Sequence, residues 1–242
     1  MSVQIPGYNL DDHAVVPHDA WVDARTALLA KEKEFTRLRD QISQARRDLP
    51  WERIEKTYVF DGPAGKQTLA ELFGSSSQLV VYHFMFDVNE DEGCKHCSFW
   101  ADNFNGIPPH LRGHDTAFVA ISRVPYAKIA AYHKRMGWSF TWLSSFETDF
   151  NRDLGVTFSE DEIETGRAFY NYRLGDSPDT EREGISVFYK DDGGNVYHTY
   201  SAYARGIDIV NGAYNFIDMT PKGRDESEGP QRWVRRHDEY GI

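Results

Sequence analysis

The only two cysteines of the 242-residue chain stand together as Cys94-Lys95-His96-Cys97, just after a nearly unbroken apolar run from Gln78 to Phe86. A run of that length, rich in Val, Tyr and Phe, reads as a strand of a sheet covered on both faces. Ser98 to Asn105 reads as a helix, so the dithiol sits at a strand-to-helix junction. Thr116 to Ser122 reads as a second buried strand, and Pro125 to Met136 as a helix with Pro at its first turn and Gly137 past its end. Ile185 to Lys190, the turn Asp191-Asp192-Gly193-Gly194, and Asn195 to Tyr200 spell a hairpin; a helix from Gly206 to Phe216 follows.

Upstream, apolar residues recur every seven positions at Trp21, Leu28, Phe35 and Ile42, with Ala24, Leu38 and Ala45 on the same face. This predicts an amphipathic helix from Asp19 to Asp48, capped by Asp19 and stopped by Pro50. At 1.5 Å per residue it would run about 45 Å. Its stripe must pack either on its own domain or on a second subunit; Lys31 interrupts it, which favours an arm lying across a partner's body in a homodimer. Lys56 to Phe60, the turn Asp61-Gly62-Pro63-Ala64-Gly65, and a short helix Thr68 to Phe73 with a Thr68/Glu71 capping box come next. Gly137 to Glu183 is irregular and reads as an insertion, and Lys222 to Ile242 as a charged tail. Trp138, Trp142 and Tyr170 to Tyr172 are either the insertion's own core or a lid over the dithiol.

The formal charge of −11 excludes the clustered cations that nucleic acids and anionic membranes demand. Met1 to His18 lacks the apolar core of a signal peptide, and no segment has the length to span a bilayer. These readings place the chain in the cytoplasm. In a reducing cytosol an isolated C-x-x-C is a redox pair or half of a metal site rather than a structural bridge.

The order strand, C-x-x-C, helix, strand, helix, hairpin, helix resembles that of a thioredoxin domain. The expected architecture is an α/β thioredoxin-like fold, a central mixed sheet flanked by helices. It divides into an N-terminal segment 1–55 with the helical arm, a domain from Lys56 to Asp218 carrying the insertion at about 137–183, and a tail 219–242. The strand, turn and short helix before the dithiol strand are similar to the N-terminal extension of peroxiredoxin-like proteins. Longer runs, LLAKEKEFTRLRD (Leu28 to Asp40), LPWERIEKTYVFDG (Leu49 to Gly62), QLVVYHFMF (Gln78 to Phe86), RMGWSFTWLSS (Arg135 to Ser145) and HTYSAYARG (His198 to Gly206), resemble the bacterial DUF899 family. That family is described as thioredoxin-like and labelled a predicted dithiol-disulfide oxidoreductase. The resemblance implies a thiol or disulfide substrate, protein or small molecule, and no cofactor.

At a helix start, unpaired backbone N–H groups favour a thiolate at Cys94, the expected nucleophile; Cys97, one turn on, would resolve the mixed disulfide. Lys95 and His96 add positive charge, and Asp87, Glu90, Asp91 and Glu92 oppose it. Arg123, ending the second parallel strand, offers a guanidinium to a thiolate or an anionic substrate, or else makes a surface salt bridge. Three positions depart from the thioredoxin pattern. Gly93 replaces the Trp before the first cysteine. Glu183-Gly184-Ile185-Ser186 lacks the cis-proline whose backbone docks substrate, leaving Gly184 and Ile185 as the matching positions. Asp91 stands where a peroxidatic cysteine needs Thr or Ser, which disfavours a peroxidase. Two other classes remain open: a zinc site joining the cysteines to histidines such as His83 and His198, and a non-catalytic interaction protein.

Overall fold

The computed structural model describes residues 13–175, 179–227 and 229–241. The first twelve positions, read above as lacking a signal-peptide core, positions 176–178 of the expected insertion, and positions 228 and 242 of the expected tail lie outside the described residues. The architecture is a mixed α/β thioredoxin-like fold preceded by a long N-terminal helix.

The strands among the described residues are β1 Glu52–Arg53, β2 Val59–Gly62, β3 Gly65–Thr68, β4 Gln78–His83, β5 Thr116–Ser122, β6 Thr141–Ser144, β7 Ala168–Tyr170, β8 Arg173–Gly175, β9 Gly184–Lys190 and β10 Val196–Tyr203. The helices are α1 His18–Arg47, α2 Lys95–Ala101, α3 Ile107–Arg112, α4 Tyr126–Met136, α5 Phe150–Asp153, α6 Glu160–Glu164 and α7 Gly212–Ile217. Eight strands form one sheet in the order β1-β10-β9-β4-β5-β6-β2-β3, and β7 and β8 form a separate hairpin. β4 lies in the middle, parallel to β5 and antiparallel to β9.

Alternation along β4 divides the core. Tyr82 and the following Phe84 join Cys97, Trp100 and Trp142 on the α2 side, while Leu79 and Val81 join Phe60, Phe150 and Phe188 on the other. Leu79, Val81 and Tyr82 are fully buried, so the strand is sealed on both faces as its composition requires.

Several elements differ from the sequence reading, each for a local reason. α1 begins at His18 with Pro17 before it, and Asp19 lies in its first turn instead of capping it. The Thr68/Glu71 exchange forms, Thr68 N–H donating to Glu71 Oε2 at 2.7 Å and Glu71 N–H to Thr68 Oγ1 at 3.3 Å, but it closes only a single 3₁₀ turn, Glu71–Phe73. The stretch read as an insertion supplies β6, which pairs in parallel with β5 in the central sheet, and Trp138 and Trp142 pack on Phe84 within the main core. The last helix splits into a 3₁₀ turn, Ala204–Val210, and α7, because Asn211 caps α7 by accepting from Tyr214 N–H at 3.0 Å. No residue of α1 is buried. Among the described residues no helix is long and apolar enough to cross a membrane.

Candidate active site

β4 delivers the chain to the end of the sheet at His83, and Phe84 and Phe86 stay buried before the exposed loop Asp87 to Glu92. Cys94 then caps α2: its carbonyl accepts from Ser98 N–H at 2.9 Å and Ser98 Oγ at 2.8 Å. Its own N–H donates back to Met85 O at 3.1 Å. Gly93 is glycine for want of room, since a Cβ there would lie 2.7 Å from Phe84 Cε1 and 2.8 Å from Tyr132 Cε1. The aromatic before the first cysteine in thioredoxins has no space here.

Both thiols are free; Cys94 is half-buried and Cys97 buried beneath it. Hydrogen bonding from the Cys97 thiol holds Cys94 well below the ordinary thiol range, aided by His96 and by the Cys97 backbone N–H, against the opposing effect of burial. Burial pushes Cys97 well up, reinforced by the Cys94 and Glu183 charges and opposed by Met85 N–H, which points at Cys97 Sγ from 3.4 Å. Of the two thiols, Cys94 is therefore the one favoured as thiolate, with the Cys97 thiol as its hydrogen-bond donor. α2 is only seven residues long, so these specific donors, rather than an extended macrodipole, hold the thiolate.

Cys94 opens onto two cavities. One, of about 610 Å³, is lined by Arg123, Glu181, Arg236 and the acidic loop. The other, of about 510 Å³, is lined by Tyr82, His96, Cys97, Trp100, Arg182 and Glu183. Arg123 Nε donates to Glu181 Oε1 at 3.1 Å, and Phe86 N–H to Glu181 Oε2 at 3.3 Å. Burial nonetheless pushes the Glu181 carboxyl up to about 7, with Arg123 opposing and Asp87 adding to the rise. A larger cleft of about 750 Å³ runs along the C-terminal segment by Trp233 and Tyr240, but it holds no cysteine or histidine.

The structure thus places Cys97 and His96 with Cys94 on one cavity, and Arg123 with Cys94 on the other. Lys95 lines neither cavity. Gly184 and Ile185 reach neither wall, because both backbone edges are used in the sheet: Gly184 pairs with His83 and Tyr203, Ile185 with Tyr82 and Ala202. The docking edge expected there is absent, and the adjoining Arg182 and Glu183 face the cavity instead. The four-ligand zinc arrangement does not form either. Cys97 belongs to the core on the α2 side, whereas His83 packs against Phe150 across the sheet and bonds Ser186 Oγ at 2.9 Å, part of a chain through Ser201 to His198. Burial lowers His83 to about 3. Among the described residues no group of three or more His, Cys, Asp or Glu is placed to hold a metal.

Tyr82, Glu181, Glu183 and Arg236 escaped the sequence reading, since only burial and long-range contact single them out. Arg236 belongs to the segment read as a tail. It donates to Gly93 O at 3.0 Å and to Tyr132 OH at 2.9 Å, and pairs with Glu92 at 3.0 Å. With Val234 fully buried, this segment is a strap over the dithiol loop.

A family model described as "Bacterial protein of unknown function (DUF899)" matches residues 10–240. No curated protein matches the sequence. Solved structures of similar shape include peroxidoxin BcpB from Mycobacterium tuberculosis, at 12% identity over 70% of this chain and 97% of that one, TM-score 0.46. Peroxiredoxin Q from Xanthomonas campestris aligns at 16% identity over 69% and 96%, TM-score 0.46. The hypothetical protein SMc02350 from Sinorhizobium meliloti 1021 aligns at 16% over 62% and 70%, TM-score 0.37.

Proposed function

The chain belongs to the DUF899 family, and from that premise we propose that it is a thiol-disulfide oxidoreductase with Cys94 as nucleophile and Cys97 as resolving thiol. The observation that carries this reading is the asymmetry of the pair. The accessible sulfur, at the meeting point of two cavities, is the one stabilised as thiolate, and the buried sulfur keeps the proton.

In the proposed cycle the Cys94 thiolate attacks a disulfide R–S–S–R′. A Cys94–S–S–R bond forms, and R′S⁻ leaves and takes the proton of Cys97. The Cys97 thiolate then attacks Cys94 Sγ, closing the Cys94–Cys97 disulfide and expelling RS⁻. Two electrons pass from the dithiol to the substrate, and an external dithiol restores the enzyme. The two cavities give R and R′ separate places beside the reacting sulfur. A peroxidase reading is less favoured, because Asp91, three residues before Cys94, is exposed, paired with Lys128 at 3.1 Å, and offers no hydroxyl.

Single-cysteine variants test the roles. Cys97→Ser should retain attack and accumulate a mixed disulfide through Cys94, visible by mass spectrometry, while Cys94→Ser should lose exchange altogether. Equal trapping by the two variants would overturn the assignment.

A further inference from the structure

A few buried polar atoms among the described residues lack a hydrogen-bond partner, and one of them, the Tyr82 hydroxyl, lines the same cavity as both cysteines. An orphaned hydroxyl in a dry core is costly and calls for an explanation. Tyr82 is fully buried and pinned: its backbone is paired on one side with Ala120 and on the other with Ile185, and its ring is held edge-on by Phe104 at 4.9 Å and Phe84 at 6.2 Å. A side chain so fixed cannot turn to find water. Burial first, and then the Cys97 sulfur, push the titration of its hydroxyl up and keep the proton on oxygen; that sulfur already receives Met85 N–H at 3.4 Å. A neutral thiol is a poor acceptor, and a thiolate a strong one.

We propose that the Tyr82 hydroxyl and the Met85 backbone N–H form a two-donor cradle for the thiolate that Cys97 becomes when it resolves the mixed disulfide on Cys94. The inference rests on the thiol-disulfide reading above and assigns Tyr82 as a further catalytic residue of that cycle. In the resting dithiol only Met85 N–H engages the neutral sulfur, and the Tyr82 hydroxyl is left without a partner. Once R′S⁻ removes the Cys97 proton, the hydroxyl donates a hydrogen bond to the new anion and keeps its own proton on oxygen. The same donors stabilise Cys97 as leaving group when an incoming thiolate reopens the Cys94–Cys97 bond, because both directions share one transition state. Glu183, facing the same sulfur, makes an unassisted anion there still harder to form. Preorganised donors aimed at a charge that develops only during reaction are an efficient way to lower its barrier.

The probe is 5,5′-dithiobis(2-nitrobenzoate), whose two halves are released in sequence: the first when Cys94 attacks, the second when Cys97 resolves, its proton passing to buffer because the released aromatic thiolate is too weak a base to take it. Stopped-flow absorbance of the full-length protein reads both phases. Tyr82→Phe removes only the hydroxyl and should leave the first phase within about twofold. The second should slow about 10- to 100-fold, the effect of one hydrogen bond to a charged group. Cys97→Ser, with no second phase, fixes the baseline. Equal rates in both phases for wild type and Tyr82→Phe would overturn the cradle, as would equal slowing of both phases. A wild-type protein that releases no second half would instead overturn the underlying thiol-disulfide reading.

Discussion

Glu181 makes the pH dependence of this fold testable at a single side chain. It is 8% exposed in the wall of the Cys94 cavity, and its titration is displaced from 4.5 to about 7 mainly by burial. Because the folded pKa lies above the unfolded one, its favourable contribution is complete below about pH 4.5 and is lost as pH rises through about 7. At 1.36 kcal/mol per pKa unit, the ionised carboxylate costs the folded state about 3 kcal/mol above pH 8, even with Arg123 beside it. Other carboxylates run the opposite way, such as Asp115 held low by Ser77 and Asp218 held low by Arg224. Only a difference between variants therefore isolates Glu181. Urea unfolding of wild type and Glu181→Gln at pH 5, 6, 7 and 8 should show the variant gaining about 2–3 kcal/mol relative to wild type across that range. A difference that stays flat with pH would refute the claim that a buried carboxyl titrates in this cavity.

Gly93→Ala places a methyl within 3 Å of two packed rings and should cost about 1–3 kcal/mol and slow attack by Cys94. Gly113→Ala, whose added carbon lies 3.4 Å from His110 O at φ −61, should change urea stability by less than about 0.5 kcal/mol; similar losses in both would remove the steric argument. On α1, Trp21, Leu28, Phe35 and Ile42 are 42–61% exposed, and this stripe, interrupted by Lys31, suits an arm lying across a partner's body. An exposed apolar stripe on a helix about 45 Å long is the kind of surface that a second copy covers, so we expect light scattering to give a homodimer, and Leu28→Glu with Phe35→Glu, at two exposed positions, a monomer. A wild-type monomer at micromolar concentration would refute it.

What the sequence determined by itself is the part of the protein governed by neighbours along the chain. The apolar run before Cys94, the two-residue alternation of β4, and Pro125 and Gly137 bracketing α4 set local conformation directly, so β4, β5, α4 and the placement of the dithiol at a helix start were legible. The same holds for Cys94 and Cys97, whose spacing fixes their proximity whatever surrounds them.

The tertiary structure decided everything that depends on distance in sequence. β6 looked like irregular chain because four residues carry too little periodicity to announce a central strand; pairing with β5 made it one. The C-terminal strap looked like a polar tail because Arg236 is charged. Its role comes from Gly93 O and Tyr132, 143 and 104 residues away. Glu181 and Arg123 stand 58 positions apart and become a pair only where β5 and the returning chain meet. Tyr82 reads as one more aromatic in a buried strand, and its role follows from an unsatisfied hydroxyl beside Cys97. Desolvation and hydrogen-bond satisfaction are properties of an enclosed volume, and no window of sequence contains that volume.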